Sequence, residues 1–113
     1  MRPLIVGVLL ALLPAERTAD AAWCYTGWTT GYVRTDYGPS GRTYDGTSIY
    51  SAEPLAAGGW DIPLDSYVTV DGSGPYRIAD RGRLAPGQVD VAVWTRREAL
   101  NLTGWRQICV TPP

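Results

Sequence analysis

Two cysteines constrain this chain more than any other feature, because they stand near opposite ends of the segment that follows an N-terminal apolar run. Cys24 and Cys109 are the only cysteines in 113 residues. In an exported protein a bridge between them would close a loop over nearly the whole segment. In the chain-entropy model such a loop stabilises the folded state by roughly 4 kcal/mol. We therefore expect a Cys24–Cys109 disulfide. The alternatives are two free thiols or a metal pair, which without histidine falls short of four ligands.

The expectation of export rests on the N-terminal sequence. An uninterrupted apolar run over residues 4–13 follows Arg2 and precedes a polar stretch that ends in Ala19-Asp20-Ala21. This pattern predicts a secretory signal peptide over residues 1–21, cleaved after Ala21. A membrane anchor is the weaker interpretation, because a span needs about 20 apolar residues. Residues 22–113 are then one secreted or cell-envelope domain without a membrane span.

Composition excludes several classes of function. The formal net charge is −1, and no basic patch points to nucleic acid as a partner. The chain has no histidine, which removes Ser-His-Asp, Cys-His and histidine–metal chemistry. We expect no cofactor and no metal.

Short β-like runs separated by turns predict a mainly β fold. The predicted strands are residues 23–37 (one strand or a pair), a short run at 48–51, 66–70, 76–79, 88–93 and 105–110. Val89, Val91 and Val93 share one face of their strand, so Asp90 is expected to point away from the valines.

One helix is predicted late in the chain. Thr95 is a plausible N-cap, and Glu98 three residues later completes a capping-box pattern before a helix that runs towards Gly104. A late helix followed by a closing strand tied to the first strand suggests a small barrel, which leaves no sheet edge exposed.

Asp80 and Asp90 differ from the other acidic residues because each lies at the end or in the body of an apolar strand. A charge there is costly unless it has a partner or a function. A carboxyl in a partly apolar setting can have a raised pKa and act as a general acid. The structural alternative is that Asp80 or Asp90 pairs with Arg77, Arg81 or another arginine and pins a loop. Spacing alone does not decide between the two.

Aromatic residues are candidates for contact with sugar rings. The chain has 5 Trp, 7 Tyr and no Phe, so Trp and Tyr must also supply the core. For any one ring a core position is the favoured interpretation. Trp60 and Tyr44, close to glycines in predicted loops, are the better groove candidates.

Several ordered fragments resemble the 3D domain, a double-psi β-barrel named for three aspartates. The fragments are Ile62-Pro63-Leu64, Tyr67-Val68-Thr69-Val70, Ile78-Ala79-Asp80-Arg81-Gly82, Val89-Asp90-Val91 and Glu98-Ala99-Leu100 with Gly104. Gly41-Arg42-Thr43 and Asp80-Arg81-Gly82 are also similar to the rare lipoprotein A family. The resemblance covers residues 31–110 and implies a small six-stranded double-psi β-barrel with one short helix near the C-terminus.

The resemblance also implies site residues. Asp80 corresponds to the second family aspartate and Asp90 to the third, which in the membrane-bound lytic transglycosylase A family and similarly folded enzymes is associated with the catalytic acid. The first family aspartate falls where this chain has Gly58-Gly59, and Asp61 lies nearby out of register. The expected catalytic residues are Asp90, Asp80 and Asp61, and the expected substrate-binding residues are Trp60, Tyr44 and Arg81.

The leading hypothesis is a monomeric secreted protein that acts on peptidoglycan or another cell-wall polysaccharide. Asp90 would protonate the bridging oxygen and then, as a carboxylate, deprotonate the sugar's own hydroxyl, as in a lytic transglycosylase. An O-glycosyl hydrolase would need a second carboxylate about 5 to 10 Å away, for which Asp61 and Asp36 are candidates. The alternatives are a non-catalytic, expansin-like glycan-binding module and a domain that binds another secreted protein.

Overall fold

The computed structural model describes residues 22–113, and the predicted signal peptide, residues 1–21, lies outside them. One short helix, α1, and six strands make up the described fold. The strands are β1 (Trp23–Val33), β2 (Leu55–Gly58), β3 (Tyr67–Val70), β4 (Ser73–Asp80), β5 (Val89–Val93) and β6 (Gly104–Thr111), and α1 spans Arg96–Leu102. No helix among the described residues has the length and apolarity that a membrane crossing requires.

The strands close into a barrel in the order β1-β5-β2-β4-β3-β6. The pairs β1–β5 and β2–β4 are parallel, and the other four pairs are antiparallel. Because each of these six strands is paired with two neighbours, none of them is an edge strand. The prediction of a small six-stranded barrel with one short helix near the C-terminus is confirmed.

Alternation along the strands separates the inside of the barrel from its outer face. Val89, Val91 and Val93 belong to the main core cluster inside. Asp90 lies between two of these valines on β5 and therefore points to the outer face, as predicted. Ala92 points the same way and joins Leu55 and Ala79 in a second, smaller apolar cluster.

Helix α1 packs on β1 through a close backbone approach. The Thr95 hydroxyl accepts the Glu98 N–H at 3.1 Å, and the Glu98 carboxylate accepts the Thr95 N–H at 3.0 Å, so the predicted capping box is confirmed. A Cβ placed on Gly31 would lie 2.7 Å from the α-carbon of Ala99. Glycine at this position therefore allows the helix to sit against the strand.

Two parts of the strand prediction were wrong. The first strand ends at Val33 because Arg34 begins a 3-10 turn. Residues 48–51 do not form a strand, and their β-type pairing is limited to an isolated bridge between Arg42 and Ser48. The strand missed by the sequence is β2, whose residues Leu-Ala-Ala-Gly carry no β-branched or aromatic signal. Pairing with β4 and β5 makes it a strand.

The Cys24–Cys109 disulfide is present and confirms the prediction. It joins two residues directly opposite each other on β1 and β6. The bridge suggests an oxidising, extracellular or periplasmic location.

Candidate functional site

The candidate site lies on the outer face of four neighbouring strands, at one level of their register. Thr30 on β1 pairs with Asp90 on β5, Asp90 pairs with Ala57 on β2, and Ala57 pairs with Asp80 on β4. We call these four residues the aspartate row. Since adjacent strands lie about 4.8 Å apart, the α-carbons of Asp80 and Asp90 are roughly 10 Å apart. Only the small side chain of Ala57 stands between them on the sheet.

Asp90 has a partly buried carboxyl group that accepts one hydroxyl hydrogen bond. Thr30 Oγ1 donates to Asp90 Oδ1 at 2.9 Å, and Gln88 Nε2 in turn donates to Thr30 Oγ1 at 3.3 Å. Burial raises the pKa of Asp90, the charge of Asp80 adds to the rise, and the Thr30 hydrogen bond opposes it. Asp90 therefore keeps its proton to a higher pH than an ordinary aspartate.

Asp80 has a different set of partners. Its Oδ1 accepts the backbone N–H groups of Tyr44 and Arg81, both at 2.9 Å. The two neighbouring aspartates thus differ in their partners, because Asp80 accepts two backbone N–H groups whereas Asp90 accepts one side-chain hydroxyl.

Arginine pairing, the structural alternative for these aspartates, is not found within residues 22–113. Arg77 instead forms ion pairs with Asp45, Glu53 and Asp65 at 2.7 to 2.9 Å. Arg81 Nη1 donates to three backbone carbonyls at 2.6 to 3.2 Å, those of Gly58, Gly59 and Ile62. Neither arginine neutralises the aspartate row.

An aromatic pair lies beside Asp80. The Tyr44 and Trp60 rings meet edge to face with centroids 5.6 Å apart, and the Arg81 guanidinium lies 4.8 Å from the Trp60 ring centroid. Trp60 is 73% exposed. Arg81 holds the backbone of the Trp60 loop and stacks on its ring, so the three predicted substrate-binding residues form one group next to Asp80.

Asp61 and Asp36 are not joined to the aspartate row by any hydrogen bond or ion pair of residues 22–113. Asp61 Oδ2 accepts the Gly87 N–H at 2.9 Å. Burial and the Asp61 charge together raise the pKa of Tyr25 to about 12, which places Asp61 near that ring. Asp36 makes a long ion pair with Arg96 at 3.7 Å. A role for Asp61 as third catalytic carboxylate stays a prediction.

Three further residues at the site were missed by the sequence reasoning. Thr30 holds Asp90, the Tyr32 hydroxyl lies 3.5 Å from Asp80 Oδ2, and the Tyr37 ring packs edge to face on Tyr32 at 5.9 Å. Burial raises the pKa of Tyr32, and the charges of Asp80 and Asp90 add to this, so its hydroxyl remains a donor. The sequence indicates that Thr30 and Tyr32 share one face of a strand, but it does not indicate that this strand pairs with β5.

A pocket of about 440 Å³ opens elsewhere on the surface. Arg34, Trp94 and Glu98 are among its lining residues, and neither Asp80 nor Asp90 is. It lies towards the C-terminal end of β5, whereas Asp80 lies at the opposite end of the neighbouring strands. The carboxyl groups of Asp80 and Asp90 lie on the outer face of the sheet, so we place the candidate site there and not in this pocket.

No family model, curated protein or solved structure matches this chain. Among residues 22–113 no three Asp, Glu or Cys side chains are grouped so that they could hold a metal ion.

Proposed function

We propose that this protein is a secreted cell-wall glycosidase of the 3D-domain type that cleaves peptidoglycan glycan strands with Asp90 as general acid. The observation that carries the proposal is the pair of aspartates on one outer row of the barrel, without an arginine partner within residues 22–113. The rise in the pKa of Asp90 through burial supports its role as the acid. The exposed Tyr44 and Trp60 rings supply planar surfaces for sugar binding.

The proposed reaction needs one proton donor that later becomes an acceptor. Protonated Asp90 transfers its proton to the bridging oxygen, and the bond between that oxygen and the anomeric carbon breaks. The Asp90 carboxylate then removes the proton from a hydroxyl of the same sugar, whose oxygen bonds to the anomeric carbon and gives an anhydro product. No water is consumed, and the charge of Asp80 stabilises the positive charge that develops on the sugar ring.

Hydrolysis is the variant of this reaction in which water attacks in place of the sugar hydroxyl. It requires a second carboxylate, about 5 to 10 Å from the acid. Asp80 is the carboxylate that the strand register brings closest to Asp90 among the described residues. Asp80 is therefore a further base candidate for that variant, beside the predicted Asp61 and Asp36.

A non-catalytic, expansin-like glycan-binding module is the second candidate function. Gly58 and Gly59 occupy the place of the first family aspartate, and their carbonyls bind Arg81. A site with fewer carboxylates but an exposed aromatic pair suits binding without bond cleavage.

Mass spectrometry of peptidoglycan incubated with the purified protein separates these functions. Anhydro-muropeptides released by the wild type, absent with Asp90→Asn and retained with Asp36→Asn would support the transglycosylase. New reducing ends without anhydro sugars would point to the hydrolase. No release from a protein that still pellets with the wall would favour the binding module.

A further inference from the structure

We infer that Trp28 and Trp105 form a second glycan-binding arm, on the opposite side of Asp90 from Tyr44 and Trp60. The site would then hold an internal segment of a glycan chain, with sugar rings bound on both sides of the reacting bond. The inference rests on the proposed function, because it assigns the length and position of the same substrate.

Trp28 shares the outer face of β1 with Thr30. Gly27 and Thr29 are buried, while Trp28 and Thr30 on the alternate positions are partly exposed. Residues two apart on a strand are about 6.6 Å apart, and Thr30 donates directly to Asp90. Trp28 is therefore one outward step along β1 from the residue that holds the proposed acid.

Trp105 extends this surface away from Asp90 onto β6. It lies directly opposite Trp28 in the β1–β6 register, and the two rings meet with centroids 5.4 Å apart and planes inclined at 69°. Trp105 is 68% exposed. A ring this exposed is not a core residue, so the favoured interpretation from sequence does not hold for Trp105.

The order of strands places the two aromatic pairs on either side of the aspartates. From β6 to β4 the sheet runs β6-β1-β5-β2-β4, with Trp105, Trp28, Asp90 and Asp80 in that order. Because the barrel is closed, β6 and β4 are also connected on the other side through β3. Trp60 stacks on Arg81 just beyond Asp80, so a ligand that follows the β5 side from Trp105 to Trp60 passes Trp28 and both carboxyl groups, whereas one that follows the β3 side passes Tyr67.

Polar groups beside the Trp28–Trp105 pair fit a hydroxyl-rich ligand. Thr26 and Gln107 form the next outward pair on β1 and β6, and both are exposed. They present a hydroxyl and an amide next to two planar rings, a combination suited to the apolar faces and hydroxyl edges of sugars. An enzyme that worked only at chain ends would need one arm, whereas this arrangement has two.

The test measures binding of long, peptide-free glycan strands and of a short oligosaccharide, with Asp90→Asn as the background so that the ligand is not consumed. For long strands Trp60→Ala and Trp105→Ala should each weaken affinity about tenfold, the equivalent of about 1.4 kcal/mol. The double variant should weaken it about a hundredfold, because distant contacts add. The short oligosaccharide should respond to only one of the two substitutions.

Two controls accompany these variants. Tyr67→Ala removes an exposed ring from β3, the strand farthest from β5 in the barrel order, and should leave affinity unchanged. Trp105→Tyr keeps a planar ring and should retain most of the binding, which separates a lost contact from a misfolded strand.

The outcomes distinguish this inference from the proposed function. Unchanged affinity for long strands in Trp105→Ala, with a clear loss in Trp60→Ala, would overturn the second arm while leaving the Asp90 chemistry in place. If both variants lose affinity and the wild type releases no anhydro sugar, the second glycan-binding arm is supported and the proposed catalysis is rejected. Failure of every form to bind glycan strands would overturn the second arm itself.

Discussion

Two groups of carboxylates adjoin strand β4 and differ in whether a cation neutralises them. At Arg77 three acidic residues converge on one guanidinium: Asp45, Glu53 and Asp65. We call these four residues the Arg77 cluster. Three residues further along the same strand, Asp80 faces Asp90 across Ala57, and neither has an ion-pair partner within residues 22–113. Carboxylates of the same kind are neutralised in one place and left without a cation in the other.

The difference reverses the sign of the pKa shift. Burial alone would raise the pKa of Asp45, but hydrogen bonds from Thr43, Arg77 and Thr47 outweigh it and hold the pKa well below its usual value. At Asp90, burial raises the pKa and a single hydroxyl hydrogen bond does not reverse the rise. Hydrogen-bond and ion-pair partners, more than burial, therefore decide whether the pKa of a carboxyl group is lowered, as at Asp45, or raised, as at Asp90.

The two groups are also connected through one loop. Asp45 is bound by Arg77, and the preceding residue, Tyr44, donates its backbone N–H to Asp80. The Arg77 cluster thus fixes the position of the loop that supplies both a ring and a hydrogen bond to the candidate site. We interpret the cluster as structural support for the aspartate row.

The largest expected effect is on catalysis. Asp90→Asn should lower the rate of glycan cleavage about 10²- to 10⁴-fold, the usual contribution of a positioned general acid. Glu53→Gln, in the Arg77 cluster, should change the rate less than about twofold per folded molecule. The measurement is the initial rate of anhydro-sugar release. Equal losses in the two variants would contradict the division of roles.

The next effect is on stability. Arg77→Gln leaves Asp45 without its cation and should lower the free energy of unfolding by about 2 to 3 kcal/mol, less than for a fully buried pair because Glu53 and Asp65 are partly exposed. Urea denaturation measures the change, and Arg83→Gln, at an exposed arginine outside the ion pairs of residues 22–113, is the matched control. A midpoint unchanged in Arg77→Gln would show that the cluster is not structural.

A smaller effect is expected in acid. Because the folded-state pKa of Asp45 is depressed, its contribution to stability is complete above the unfolded-state pKa of about 3.9 and is lost as pH falls towards the folded value. The unfolding midpoint of the wild type should therefore fall steadily below about pH 4. Asp45→Asn should flatten this decline, and an equally steep curve in that variant would contradict the assignment.

The smallest effect has the opposite sign and concerns Asp90. Since its folded-state pKa is raised, ionisation destabilises the fold as pH rises through that value. Asp90→Asn should consequently melt a few degrees above the wild type at pH 7, with a smaller difference at pH 4. Thermal unfolding at the two pH values checks this. The prediction is wrong if the melting temperature of Asp90→Asn, relative to that of the wild type, is lower at pH 7 than at pH 4.

The sequence predicted those features of the fold and the candidate site that depend on residues close together in the chain. The capping box at Thr95, the outward direction of Asp90 and the Cys24–Cys109 bridge follow from nearby residues or from the only possible pairing. The strand Leu55–Gly58 had no local signal. The link between Thr30 and Asp90 spans 60 positions and required knowledge of the β1–β5 register.

The pairing of charged side chains was likewise not predictable from the sequence. Spacing left open whether Arg77 and Arg81 pair with Asp80 or Asp90, and only the three-dimensional arrangement shows that both arginines are engaged elsewhere. Tyr44 and Trp60 were predicted to be exposed from their loops, and both are, whereas the exposure of Trp105 was not predicted because it depends on a strand partner. Asp61 was selected for its nearness in sequence, and its hydrogen bond to Gly87 ties it to a different loop.

The position of the disulfide has a mechanical consequence. Every strand pairing that builds the aspartate row lies between Cys24 and Cys109 in the chain. Tension applied to the polypeptide on either side of the two cysteines would pass through the sulfur–sulfur bond and would not load the hydrogen bonds of the aspartate row. The chain can therefore be pulled from both flanks while this part of the sheet keeps its shape.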